Sequence, residues 1–479
     1  MDNEINRVCG KAVQALCAVT WLCAACACTL EPRYRPPALP VPDQWPLPAA
    51  ESGVNIAASE IGWRDFFLDT RLQQLLGLAL ADNRDLRVAV LNIEQARALY
   101  RIQRAALLPS IDVPGSFTRE KLPPSLTYGI RTPILGYFDV GVSITSYEVD
   151  LFGRVRSLTH ASLEKYLAQE QARRSAQLSL IAEVANTYLT LASDRELERL
   201  ALQTLQSQED SFARQQQRHQ TGTVSGLDLA QSKTTVEQAR IDAARFEGNV
   251  ARDIDTLTLL VGSSIAPALL PEQFDSKAIA LDPLPAGVPS TVLLRRPDVL
   301  EAERTLRAAN ANIGAARAAF FPQITLTANL GSASYQLSNL FTAGTGTWAF
   351  EPLISLPIFH GGALAGGLDV ATVDQKIALA QYEKAIQSGF REVADALALT
   401  TTLDHQRAAQ ESLVEATSRA YVLSQRRYQV GRDSYLEVLD SQRSDYAARQ
   451  RLITTRLAEE SNRVTLYKVL GGGCLEHSQ

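Results

Sequence analysis

Ala105-Ala106-Leu107-Leu108-Pro109-Ser110-Ile111 is answered later in the chain by Ala318-Ala319-Phe320-Phe321-Pro322-Gln323-Ile324. A second landmark keeps the same order. Gln220-Thr221-Gly222, with Leu227-Asp228 and Gln231-Ser232, matches Gln429-Val430-Gly431, with Leu436-Glu437 and Asp440-Ser441. The match runs on to Ala239-Arg240 against Ala448-Arg449. Two amphipathic helices alike by chance would not keep order across both landmarks, so the chain is a tandem duplication.

Each copy follows one plan. A helix stops at Leu-Leu-Pro or Phe-Phe-Pro, because proline disfavours helix at the residue before it. Strand-like alternation follows, over residues 111 to about 118 and 138–149 in the first copy and 324–328 and 348–359 in the second. Pro123, Pro124 and Pro133 make the first connection a loop, as Gly344 and Gly346 make the second. Gly153 or Gly361 then opens a long helix. That helix reverses at Gly222 or Gly431, where glycine permits the positive φ of a helix end.

Between positions 154 and 221 there is neither proline nor glycine, which predicts one helix of roughly 100 Å at about 1.5 Å per residue. Ile181, Val184, Ala185, Tyr188, Leu191 and Ala192 give it a narrow, alanine-rich stripe. Such a helix cannot be buried all round and packs as a coiled coil. Residues 362–430 behave alike, with Phe390, Val393, Ala394 and Leu397 on one face.

No run of about eighteen apolar residues occurs after the first thirty positions, so a membrane crossing would have to use strands in a closed barrel. The predicted strands alternate apolar with small or polar residues, as bilayer strands do with lipid outside and water inside. Four strands are too few to close, since about eight is the smallest common barrel. Open edges in lipid would leave each backbone group unpaired at several kcal/mol. Three copies would supply twelve strands.

The first residues carry a different signal. Residues 12–27 form an apolar run preceded by Arg7 and Lys11, the pattern of a secretory leader, although Asp2 and Glu4 weaken its basic region. Cys23-x-x-Cys26-x-Cys28 lacks the second ligand pair that a zinc site needs. Ala25-Cys26-Ala27-Cys28 instead reads as a lipoprotein cleavage site with Cys28 as the acylated residue, each buried methylene adding about 0.8 kcal/mol of membrane affinity. Ordinary cleavage without a lipid is the alternative. A proline-rich strip, residues 31–48, then runs extended. The expected divisions are a leader (1–27), an anchored strip (28–60), a first copy (61–262), a linker (263–296), a second copy (297–470) and a tail (471–479).

The motifs in this order resemble the TolC-like outer membrane factor family, specifically lipoproteins that serve resistance-nodulation-division pumps. The resemblance rests on Cys28-Thr29-Leu30-x-Pro-x-Tyr-x-Pro-Pro37, Trp63-Arg64-Asp65-Phe66-Phe67 and Leu293-x-Arg295-Arg296-Pro297-Asp298-Val299. It rests equally on Pro357-Ile358-Phe359-x-Gly361-Gly362, Arg427-Tyr428-Gln429-Val430-Gly431 and Leu466-Tyr467-Lys468-Val469-Leu470-Gly471-Gly472-Gly473. Relatives often carry Trp where this chain has Cys474. The resemblance implies an α+β membrane protein: a trimeric twelve-stranded outer-membrane barrel continued by a periplasmic α-helical barrel. It also implies a periplasmic adaptor and an inner-membrane transporter as partners.

Function is read as passive conduction of drugs or other small molecules, with no catalytic residue, metal or cofactor. The net charge of −5 is well mixed and shows no nucleic-acid patch. His160, His219, His360, His405 and His477 form no metal-hydrolase pair. Met1 is the only methionine, so no thioether cluster marks a copper or silver route. The resemblance makes the turns the periplasmic mouth where the adaptor docks: Thr221, Gly222, Thr223, Val224 and Ser225, and Val430, Gly431, Arg432, Asp433 and Ser434. Plain hairpin turns are the alternative.

Glu437 and Asp440, three apart, share a helix face. Threefold symmetry would stack them into acidic rings favouring cations. By resemblance Asp228 and Tyr428 latch this gate while Glu437 and Asp440 line it; a solvated helix face is the alternative. Two rival functions stay open: the same channel in type I protein secretion or metal-ion efflux, and a structural periplasmic coiled-coil lipoprotein.

Overall fold

A computed structural model describes residues 29–43, 45, 60–121, 134–274 and 290–478. The leader, Cys28 and the prolines of the first loop lie outside the described residues. The elements are helices α1 (Trp63–Phe66), α2 (Thr70–Asp82) and α3 (Arg84–Ala105), strands β1 (Gly115–Lys121) and β2 (Ile134–Glu148), then helices α4 (Arg154–Gln220) and α5 (Gly226–Val261). The second copy repeats the plan with α6 (Pro297–Ala318), β3 (Gln323–Ser334), β4 (Gly346–Ser355), α7 (Ala363–Gln429) and α8 (Tyr435–Val469). The two long helices have 67 residues each, as the absence of breakers in the first predicts.

The strands differ from the sequence reading at their ends. Asp112 makes only an isolated bridge to Ser143, and β1 begins after Pro114, which has no N–H to offer a ladder. The run 348–359 stops as a strand at Ser355, two residues before Pro357. Pro352 stays within β4 because β4 is an edge strand of the sheet.

The chain divides into two compact units. In the first, the four strands form one antiparallel meander in the order β1-β2-β3-β4. Its register sorts the side chains through the middle of the sheet, while toward the strand ends Arg119 and Lys121 fall on the apolar side and Leu135, Tyr137 and Leu353 on the polar side. Phe117 opposes Phe138, Val142 opposes Leu330, Leu330 opposes Trp348 and Ala328 opposes Phe350, so all share one face. Ser116, Asp139, Ser143, Asn329, Thr327 and Glu351 share the other. A bulge at Ser146, whose φ is 54°, shifts the β2 register so that Tyr147 opposes Leu326.

Backbone crowding on the polar face is what a sheet curled toward that face produces. Gly141 opposes Gly331 on that face, and a Cβ on Gly331 would lie 2.4 Å from the Val140 carbonyl oxygen. Curvature crowds the concave side, and glycine is what lets the two backbones approach there. The apolar face is therefore convex, and Leu330, Trp348, Phe350 and Ile354 on it are exposed.

An N-terminal strap also belongs to this unit and runs antiparallel along α6. Arg317 Nη1 donates to the Leu30 carbonyl at 3.3 Å, Asn310 Nδ2 to that of Pro32 at 2.7 Å, and Tyr34 Oη to Glu303 at 3.1 Å. Burial and the Glu303 charge push the Tyr34 phenol up to about 12.

The second unit holds most of the apolar core. Ile181, Val184, Ala185, Tyr188, Leu191 and Ala192 are all buried, as their spacing predicts. On α7 the buried line within this unit is different: it runs through Ile386, Val393, Ala396 and Leu403. Of the expected stripe only Val393 is fully buried, while the Phe390 ring stacks on Trp45 at 4.7 Å. Two of the motif residues lock this unit. Tyr467 stacks on Phe66 with ring centroids 3.8 Å apart and donates to the Ile61 carbonyl at 2.7 Å. Arg296 is buried and clamps Asp298 at 2.7 Å, Glu392 at 2.8 Å and the Val469 carbonyl at 3.0 Å.

Candidate functional site

The two predicted turns have the same backbone, which follows from the duplicated sequence. At the first, Gly222 N–H donates to His219 O and Thr223 N–H to Arg218 O, both at 2.9 Å, with Gly222 at φ 75°. At the second, Gly431 N–H donates to Tyr428 O and Arg432 N–H to Arg427 O, again at 2.9 Å, with Gly431 at φ 70°. These paired bonds make a Schellman end, which needs a left-handed residue. Ser225 and Ser434 then cap the return helices by accepting from the backbone of Asp228 at 3.1 Å and Glu437 at 3.4 Å.

Asp228 and Glu437 thus occupy the acidic position of a capping box, three residues after the capping serine. The Ser225 hydroxyl donates to the Asp228 carboxylate at 2.8 Å. This role was legible as Ser-x-x-Asp and Ser-x-x-Glu in the sequence, and reading the acids only as gate residues misses it.

The turns differ in their side chains. Thr221 and Thr223 turn back onto the Arg218 carbonyl at 2.9 and 2.8 Å, and His219 Nδ1 meets the Val224 carbonyl at 2.8 Å. In the second turn Arg427 grips Asp433 through Nε at 2.7 Å and Nη2 at 2.8 Å. That bidentate pair holds the Asp433 carboxyl below the usual carboxylate range.

Tyr428 lies where α7 meets α4. Its hydroxyl accepts from Gln215 Nε2 at 3.0 Å and from Arg218 Nη1 at 3.1 Å. The Arg218 guanidinium also sits 5.5 Å above its ring, and the Tyr435 ring lies 5.4 Å away. Tyr435, Val438 and Leu439 are buried beneath, with Tyr421 packed on them. Within one protomer Tyr428 therefore pairs with Gln215 and Arg218, and Asp228 pairs with Ser225. Gln215, Arg218 and Tyr435 were missed by sequence reasoning, since polar residues on a long polar helix carry no periodic signal. Glu437 and Asp440 do come together, exposed and lining one groove of about 590 Å³ with Thr417, Ala420 and Ser444.

Among the described residues no group of His, Cys, Asp and Glu could hold a metal ion, and no helix is long and apolar enough to cross a membrane.

The outer membrane efflux protein family matches this chain over residues 75–263 and 288–472, one segment in each copy. The chain belongs to the outer membrane efflux protein family. Two proteins of Pseudomonas putida, the antibiotic efflux pump outer membrane protein ArpC and the toluene efflux pump outer membrane protein TtgC, are each 47% identical to it over 454 residues. That span is 94% of this chain and 94% of theirs. The MtrE outer membrane channel of Neisseria gonorrhoeae, solved in its open state, matches with a TM-score of 0.85 at 38% identity, covering 94% of this chain and all of its own. This efflux protein is an outer-membrane channel with a TolC-like fold. A membrane barrel turns an apolar face to lipid and a polar face to the water of its lumen.

Proposed function

We propose that three copies of the chain close a twelve-stranded barrel and form the passive exit duct of a tripartite pump. The observation that carries this is the sheet: it sorts lipid-type from water-type residues by face, yet leaves β1 and β4 as open edges. Backbone groups on those edges cannot remain unpaired in lipid. Pairing β4 of one copy with β1 of the next satisfies both edges at once. The long helices of the two copies, 61–262 and 297–470, then supply the periplasmic part of the duct.

A periplasmic adaptor docks at the turns 221–225 and 430–434, and an inner-membrane transporter, of the resistance-nodulation-division type, lies beneath it. Glu437 and Asp440 line the mouth, and Tyr428 tethers it. Asp228 helps to hold the first turn in its docking shape. Cys28 is the acylated residue. What supports that assignment is the course of the strap, which leads residue 29 toward the end of α6, a few residues before β3 begins. Cargo is set by the transporter: two relatives equally similar to this chain carry antibiotic and toluene in their names. The cargo class is therefore drugs or other small molecules.

The test is conductance of the purified protein in planar bilayers, with its mass measured by light scattering. Trimers that open cation-selective channels, and lose that selectivity in Glu437→Gln/Asp440→Asn, are expected. A trimer with unchanged reversal potential in the double variant removes those acids from the pathway. A protein that never conducts overturns the duct.

A further inference from the structure

We infer that the β3–β4 loop, residues 335–345, folds outward from the barrel and seats Leu337 and Phe341 among the amphiphiles of the surrounding leaflet. The inference rests on the barrel reading above and goes beyond it, since it says what the loop touches.

The register fixes the direction. β3 and β4 pair without a shift from Gln323↔Ser355 to Ser332↔Gly346. Ser332 therefore shares a face with Leu330 and Trp348, and Ser334, opposite Phe138, lies on it too. That is the convex, lipid-facing side. Both serines are used by the loop. Ser332 Oγ is hydrogen-bonded to the Leu340 carbonyl and, at 2.7 Å, to the Thr345 hydroxyl. The Thr345 hydroxyl reaches the Leu340 and Thr342 carbonyls at 3.0 and 2.8 Å, and Gln336 N–H donates to Ser334 Oγ at 3.2 Å. Leu340 is buried in this knot. A loop tied to the convex face leans away from the lumen.

Once tied there, it displays Tyr335, Leu337 and Phe341, which are 75%, 64% and 81% exposed. They continue the strand surface that ends in Trp348, itself exposed on the same face. Aromatic residues at the rim of a membrane barrel belong at the lipid–water boundary, where an apolar ring and a polar neighbour are both satisfied. The polar companions fit that boundary. Ser338, Asn339, Thr342 and Thr345 carry no charge, and no charged residue occurs between Arg317 and Glu351. A loop standing in water over the pore mouth would have no reason to avoid charge and show large apolar side chains instead.

The experiment uses full-length protein in lipid vesicles containing lipopolysaccharide, in a Cys474→Ser background. Nitroxide labels go on Phe341→Cys, Leu337→Cys and Ser338→Cys, with Leu330→Cys as the barrel control. The Cys474→Ser parent, taken through the same labelling, gives the background signal. Collision with oxygen, which enters lipid, is compared with collision with a water-soluble nickel chelate. Labels at 337 and 341 are expected to favour oxygen and the label at 338 to favour nickel. If 337 and 341 favour nickel while 330 favours oxygen, the barrel stands and the loop inference falls. Dipolar broadening at 341 shows that a second copy covers the loop, which also overturns it. If 330 favours nickel as well, the barrel reading fails and takes the inference with it.

Discussion

Replacing Tyr428 by Phe removes one oxygen atom and keeps the ring, so the contacts with Tyr435 and the Arg218 guanidinium survive. What is lost is the pair of hydrogen bonds from Gln215 at 3.0 Å and Arg218 at 3.1 Å. A neutral bond of this kind contributes about 0.5–1.5 kcal/mol and one from a charged donor about 1.5–3. Arg218 is exposed, so its share is screened to about 0.2–1 kcal/mol, that of a surface charge contact. The tie between α7 and α4 thus weakens by about 1–2 kcal/mol, a factor of about 5–30 in the tethered population. If this tie keeps the second helical hairpin against the first, the mouth should open more often by a comparable factor. Opening frequency of reconstituted trimers in planar bilayers measures this directly. Gln215→Leu should shift it in the same direction, and the double variant should add little, because both act on one bond network. An opening frequency in Tyr428→Phe equal to or below that of the parent would refute the tether.

Three further outcomes follow from the packing. Gly331→Val forces a side chain into the Val140 carbonyl, so trimers should no longer be recovered by light scattering of the purified protein, whereas Gly346→Val, with open space around it, should leave them intact. Arg296→Gln leaves Asp298, Glu392 and the Val469 carbonyl without their shared donor. The loss should be about 3 kcal/mol, the low end for a broken buried pair because both carboxylates are partly solvated; an unchanged melting temperature would exclude the clamp. For Asp253, burial first and the Asp194 charge second raise the carboxyl to about 6. The folded chain then takes up this proton before the unfolded chain does, so its contribution to stability rises as pH falls from neutral toward 4. Asp253→Asn should therefore melt higher than the parent at pH 7.5, and the gap should close by pH 4.5.

Local chemistry made much of this protein legible in advance. The duplicated landmarks gave the plan of both copies. The missing prolines and glycines gave the first long helix, and Gly222 and Gly431 marked the reversals. Strand ends were read less well, because Pro114 and Pro357 act on ladder pairing that depends on the neighbouring strand. At the mouth, the paired acids Glu437 and Asp440 were found from helical spacing. The partners of Tyr428 were not, since Gln215 and Arg218 come from another helix and look like ordinary solvent-facing residues.

By itself the sequence determined where helices start, run and turn, because breakers, caps and periodicity act over a few residues of the same chain. It also determined that strands alternate, but not which side is the inside. The tertiary structure decided that. Register set Phe138, Leu330 and Trp348 on one face, and the close approach of Gly141 and Gly331 showed the other to be concave. Only packing decided that Val393 and not Leu397 is buried on α7, and that Tyr428 meets Gln215 and Arg218 of α4. The reason is the same in each case: a side chain's partner across the fold is fixed by how whole elements pack, and no local pattern encodes it.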